Sequence, residues 1–176
     1  LLLGMGIVGS TKKLYIPVIM QKERGDEVNT KVENSESTAI DIDEDEVCQE
    51  IQDKLGVLPI WFQYRPEGME LTSYQLIGDS EEAILEYLVS DKILHVCIEK
   101  KKRETMTNFQ LDGNVLEEVM VESCGMEVPV YEVAGSEQEY YYTAEFEYLN
   151  TYYWISGNID QESFIKIIEN ILIKNE

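Results

Sequence analysis

The chain has 176 residues, of which 44% are hydrophobic and 28% charged, a composition that supports a globular core in a single domain. Its 35 acidic and 14 basic residues leave a formal net charge of −21. That balance argues against nucleic-acid binding, which needs Lys and Arg against phosphates, and against direct docking on an anionic membrane surface.

Leu1-Leu2-Leu3-Gly4-Met5-Gly6-Ile7-Val8-Gly9-Ser10 is apolar and uncharged. A bilayer span needs about 20 such residues, and a leader peptide would show a basic region first. With Leu rather than Met at position 1, the expectation is a longer product in which this stretch is the far end of a membrane-spanning helix. A leader remnant and a buried strand are the alternatives. Lys12 and Lys13 weigh against the first reading, because positive residues prefer the cytoplasmic flank. Residues 1–13 are thus read as an anchor end or leader remnant, and residues 14–176 as one extracytoplasmic domain.

Leu14 to Met20 and Glu27 to Val32 flank Arg24-Gly25-Asp26 and predict a β-hairpin, with Pro17 placing the first arm at an edge. The Arg-Gly-Asp tripeptide matches an integrin-binding sequence, but at a hairpin tip it reads as a turn. Asn34 to Ile42 is polar and reads as a connection. Val47, Ile51 and Leu55 then lie four apart on one helical face. Asp43 suits the N-cap, Glu46 the reciprocal position of a capping box, and Gly56 the C-terminal cap. Asp41, Asp43 and Asp45 also imitate the opening of a calcium-binding loop. The sixth position is Glu46 where Gly is needed, and the twelfth is Gln52 where a bidentate Glu is needed, so the charges are read as a helix start.

Pro66-Glu67-Gly68 marks a turn between two β-prone runs, the second being Met69 to Ile77. Ala83 to Val89 fits either period. Ser90-Asp91-Lys92 looks like a hairpin turn into Ile93–Glu99, which decides for a strand. Lys100-Lys101-Lys102-Arg103 is the one dense basic run and reads as a solvated strand end whose charge discourages edge pairing. Residues 115–122, 128–134, 140–148 and 151–156 predict four further strands. Their tight connections require mostly antiparallel pairing, since parallel neighbours need a crossover of about a dozen residues. At the end, Asp160 suits an N-cap and Ile159 with Phe164 a hydrophobic staple. Phe164, Ile167, Ile168, Ile171 and Leu172 form the stripe of a helix lying on a sheet.

The expected fold is α+β: a curved, mainly antiparallel meander with helices at residues 43–55 and 160–173 packed on one face. Cys48, Cys97 and Cys124 are an odd, widely spaced set without a C-x-x-C, which opposes a disulfide framework. With His95, the one histidine, they read as buried structural residues rather than as a zinc site or a Cys124–His95 nucleophile pair. No metal, cofactor or catalytic residue is assigned. The sequence lacks G-x-S-x-G, H-E-x-x-H and the phosphate-binding G-x-x-x-x-G-K-[ST]. Tyr140, Tyr142, Phe146, Tyr148, Tyr152 and Trp154 are candidates for the wall of a ligand site, or else for the core.

From Phe109 onward the order of features resembles the Gram-positive "domain of unknown function 4367" family. The residues that carry it are Gly125-Met126-Glu127-Val128-Pro129-Val130-Tyr131, Tyr152-Tyr153-Trp154-Ile155-Ser156-Gly157-Asn158-Ile159 and Asp160 to Ile171, with weaker signals at Leu58-Pro59 and Pro66-Glu67-Gly68. The resemblance implies an extracytoplasmic domain behind one membrane-spanning helix, sometimes after an anti-sigma-like cytoplasmic region, with no known catalytic or ligand residues. The functional expectation is a non-enzymatic sensor or interaction domain at the cell membrane, reaching the membrane only through an upstream helix. Its partner would be an unknown protein or a small apolar ligand. The alternative is a carrier of acyl chains or of a lipid-modified protein, holding its cargo between sheet and helices.

Overall fold

A computed structural model describes residues 42–100, 113–135 and 139–174. The Leu14–Val32 hairpin, the Leu1–Ser10 stretch, Asp41 and Lys101-Lys102-Arg103 lie outside the described residues.

Helix α1 spans Glu44–Leu55. The Asp43 carboxylate accepts from the amides of Asp45 and Glu46 at 3.0 and 3.2 Å, satisfying donors that have no partner inside the helix. Gly56 closes the helix in the left-handed region at φ 63°, its N–H bonded to the Gln52 carbonyl. A short strand β1, Trp61–Phe62, follows. Seven longer strands come next: β2 Glu70–Ile77, β3 Glu82–Val89, β4 Lys92–Lys100, β5 Asn114–Val121, β6 Met126–Ala134, β7 Tyr140–Tyr148 and β8 Thr151–Gly157. Helix α2, Gln161–Glu169, and strand β9, Ile171–Leu172, end the described chain.

The seven strands form one open sheet in the order β2-β3-β4-β8-β7-β6-β5, every pair antiparallel. The sheet is therefore two meanders, β2 to β4 and β5 to β8, joined where β8 pairs with β4. The alternation of Ala83, Leu85, Tyr87 and Val89 is the strand reading of that segment, and all four are buried. Tyr148 pairs with Thr151 across Leu149 and Asn150, both at positive φ, which is the twist-compatible geometry of a two-residue hairpin. Gly157 is where β8 and β4 crowd: a Cβ there would sit 2.9 Å from the Ile93 carbonyl oxygen.

Both helices pack on one face. Helix α1 buries Val47, Cys48, Ile51 and Leu55, and its Glu44 accepts from Tyr87 of β3 at 2.8 Å. Helix α2 is capped by Asp160, which accepts from the Ser163 amide at 2.9 Å; it buries Phe164, Ile167 and Ile168, and Phe164 meets Tyr142 of β7 at 5.9 Å. The helical stripe was expected to continue to residue 173, but α2 ends at Glu169. Asn170 folds its side-chain amide onto the Lys166 carbonyl at 2.8 Å, and Ile171–Leu172 turns into β9 to pair with β1. Ile171 and Ile173 stay buried in that extended segment, so the apolar spacing fits both conformations and the backbone pairing decides.

Candidate functional site

Register assigns the sheet's residues to its two faces. Tyr87, Leu94, Gly157 and Tyr142 are cross-strand neighbours on the helix side, as are Leu85, Val96, Ile155 and Ala144. Their partners in alternation, on the opposite face, make a polar band. One row runs Ser73, Glu86, His95, Ser156, Thr143 and Tyr131; the next runs Gln75, Ile84, Cys97, Trp154 and Glu145. Neither described helix packs on this face, yet His95, Cys97, Thr143, Trp154 and Ser156 are all buried.

The band is held by short side-chain contacts. Ser73 donates to Glu86 at 2.6 Å, and the other carboxylate oxygen of Glu86 lies 3.6 Å from His95 Nδ1. The hydroxyls of Thr143 and Ser156 share a bond of 2.8 Å, Tyr152 donates to Glu145 at 2.7 Å, and the Cys97 thiol faces Glu82 at 3.3 Å. Two buried side-chain atoms have no partner among the described residues: His95 Nε2 and Trp154 Nε1.

The electrostatics favour the uncharged forms of the three thiols and of the imidazole. Burial, with Glu44 and Asp45 adding to it, pushes the Cys48 thiol up to about 12. Burial and then Glu82 hold Cys97 well above the ordinary thiol value, and burial raises Cys124. A protonated thiol is a poor nucleophile. Burial also lowers His95, and the opposing pull of Glu86 is smaller, so the imidazole is neutral near pH 7. Cys124 sits in the turn between β5 and β6, at the far end of the strand order from β4, which separates it from His95.

The six aromatics divide between the faces. Tyr140, Tyr142, Phe146 and Tyr148 alternate onto the helix side of β7, where Phe146 stacks on Tyr153 at 4.8 Å. Tyr152 and Trp154 stand on the opposite face. The helix-side layer is closely packed, with Ile51, Phe164, Ile167 and Ile168 at 0% exposure. Two surface depressions lie elsewhere. One of about 230 Å³ is lined by the first turn of α1 with Trp61, Phe62 and Arg65; the other, about 500 Å³, lies along the outer side of α2 at Ile165 and Lys166. In the first, Asp45 accepts from Trp61 Nε1 at 3.1 Å and Glu44 from Arg65 at 2.6 Å, so those carboxylates are engaged within the protein.

The sheet's end at β5 is the other distinctive surface. Strand β6 pairs with β7 only from Val130 onward, so among the described strands Met126 to Pro129 have β5 alone as a neighbour. Pro129, which lacks an N–H, marks the point where the ladder to β7 stops. The β5–β6 ribbon is tied instead to the end of the chain: Ser123 donates to the Ile171 carbonyl at 2.8 Å and accepts from the Ile173 amide. Val115, Leu116 and Met120 are exposed along β5.

A family model described as "Domain of unknown function (DUF4367)" matches residues 59–171, which take in β1 to α2 and the start of β9. The chain belongs to that family. No curated protein and no solved structure matches it. The DUF4367 region thus contains the whole seven-stranded sheet and the polar band, while α1 precedes it. The pairing of His95 with Glu86 and of Thr143 with Ser156 was not visible in the sequence. The i, i+2 spacing of His95 and Cys97 in an apolar strand was the available signal, but their partners come from other strands.

Proposed function

We propose that this chain is a non-enzymatic, extracytoplasmic interaction or sensing domain of a single-span membrane protein, touching the membrane only through a helix upstream of the domain. The observation that carries the non-enzymatic part is the state of the nucleophile and base candidates. All three thiols are raised and the single imidazole is buried neutral. Nucleophilic catalysis by the thiols would need the reverse shift, a depressed thiol, and the neutral imidazole, although the right form for a base, is buried with its Nε2 closed off from solvent. The location rests on the family resemblance and on the charge of −21, which repels anionic headgroups and leaves the domain standing off the bilayer. The packed layer between sheet and helices favours interaction over a carrier, because a carrier needs an apolar cavity there.

Protease treatment of intact cells tests the location. The domain is expected to be cut without lysis and to remain with the membrane fraction in untreated cells. Protection until lysis, together with fractionation as a free cytoplasmic protein, would overturn the reading.

A further inference from the structure

An edge strand offers unpaired backbone donors and acceptors, and proteins blunt such edges with Lys, Pro, bulges or a covering element. Strand β5 is the last strand of the sheet among the described residues, and six of its eight residues are exposed. It contains neither Lys nor Pro. Its irregularity lies between Val115 and Glu117; from Glu117 to Val121 the pairing to β6 is regular. The opposite edge, β2, is better protected. It is likewise broken, between Leu71 and Ser73, but only three of its eight residues are exposed, against six in β5, and Tyr74 ties it to Glu50 of α1 at 3.0 Å.

Charge selects what can pair with β5. Residues 113–135 include Glu117, Glu118, Glu122, Glu127 and Glu132 and no Lys or Arg. A second copy added antiparallel and centred on Glu117 and Glu118 would set Glu117 of each copy opposite Glu118 of the other, and like charges facing across strands are unfavourable. An added strand would find Glu118 and Met120 two residues apart on the helix-free face, and Glu117 beside buried Val119 on the other. That pattern matches a basic residue followed two positions later by an apolar one.

The geometry points to β5 as a strand-addition site for an extended cationic segment of a partner protein, in which Lys or Arg alternates with apolar residues. Main-chain hydrogen bonds to the β5 edge hold the segment, Glu117 and Glu118 select its charge, and Met120 and Val115 cover its apolar residues. The assignment deepens the interaction reading by naming its partner class. It stands on the edge itself, so a binding measurement on the purified chain is independent of where the domain resides.

The test uses the full chain and a fluorescently labelled peptide of alternating Lys and Val, about eight residues long to match a strand. Anisotropy should show saturable binding that weakens as salt is raised, and amide hydrogen exchange should slow within Asn114–Val121. The double variant Glu117→Lys/Glu118→Lys should lose at least about tenfold in affinity, with unchanged far-UV circular dichroism. Met120→Ser should weaken binding with the charge unchanged. A peptide alternating Lys with Pro has the same charge but cannot complete a ladder, and should not bind. Equal binding of the two peptides, exchange protection located on β2 instead, or concentration-dependent dimers formed through β5 would each overturn the proposal.

Discussion

On its helix side the seven-stranded sheet presents Leu85, Leu94, Val96, Ile98, Ile155 and Tyr153 to Ile51, Phe164, Ile167 and Ile168, all of them buried. On its other side the same strands present Glu86, His95, Ser156 and Thr143 in one row and Cys97 and Trp154 in the next. One face is stabilised by non-directional apolar burial, where each added methylene contributes. The other depends on polar groups finding partners, where an isolated group costs more than an absent pair. The two faces should therefore respond oppositely to mutation: the helix side in proportion to volume removed, the polar side according to which partner is left behind.

The largest effect belongs to the helix side. Phe164 is fully buried, packs against Tyr142, and follows the staple residue Ile159. Phe164→Ala should destabilise by about 3–5 kcal/mol, and Ile168→Ala by about 2–5 kcal/mol. Denaturant midpoints measure both, and a wild-type midpoint for either variant would mean that α2 contributes no core.

That side was also the part most legible in the sequence. The spacing of Phe164, Ile167 and Ile168, the cap at Asp160 and the alternation of Ala83 to Val89 are local signals, and each was realised. The six candidate wall aromatics show the limit of such signals. Alternation within β7 and β8 sorts them by parity, but which parity faces the helices depends on where α2 returns. The seam of β8 against β4 joins residues some sixty positions apart, as in the pairing of Val96 with Ile155. Nothing local encodes it, so the rows that set His95 beside Ser156 and Trp154 beside Cys97 emerge only in three dimensions. The two-residue β9 was missed for a related reason: its partner β1 lies more than a hundred residues earlier.

The next effect is on the polar side. Thr143 and Ser156 are both buried and bonded to each other at 2.8 Å. Thr143→Val leaves the Ser156 hydroxyl without its partner and should cost about 1–3 kcal/mol. Adding Ser156→Ala removes the second hydroxyl, and the double variant should lose less than the sum of the two single ones. A double-mutant cycle that is strictly additive would mean that the pair is not coupled.

A smaller, pH-dependent effect comes from His95. Burial places its folded pKa below the ordinary 6.5, with Glu86 pulling weakly the other way. Between the lowered value and about 6.5 the unfolded chain binds the proton and the folded chain does not, so stability falls as pH drops through that window. The slope from one group is at most about 1.4 kcal/mol per pH unit. His95→Gln should lack this component, so wild type and variant diverge below pH 6.5 in denaturant titrations. Parallel pH profiles would show that His95 titrates alike in both states.

The smallest effect should come from the largest side chain on the polar face. Trp154 is buried at 5% exposure, and its Nε1 has no hydrogen-bond partner among the described residues. A buried N–H left unsatisfied costs about 1–3 kcal/mol in the folded state. Trp154→Phe removes that donor together with part of the indole's packing, and the two changes oppose one another. The net should lie within about 1 kcal/mol of zero, either sign being compatible with the balance. Tyr153→Phe, one residue away on the helix side, is the comparison: it deletes a hydroxyl that donates to the Leu58 carbonyl at 2.9 Å. That loss should cost about 0.5–1.5 kcal/mol with little volume change to offset it. Adjacent aromatics on opposite faces would then rank by hydrogen-bond satisfaction rather than by size. A loss of about 3 kcal/mol or more at Trp154 would instead be the cost expected for a fully packed core aromatic, and the distinction between the faces would fail at the residue where it should be sharpest.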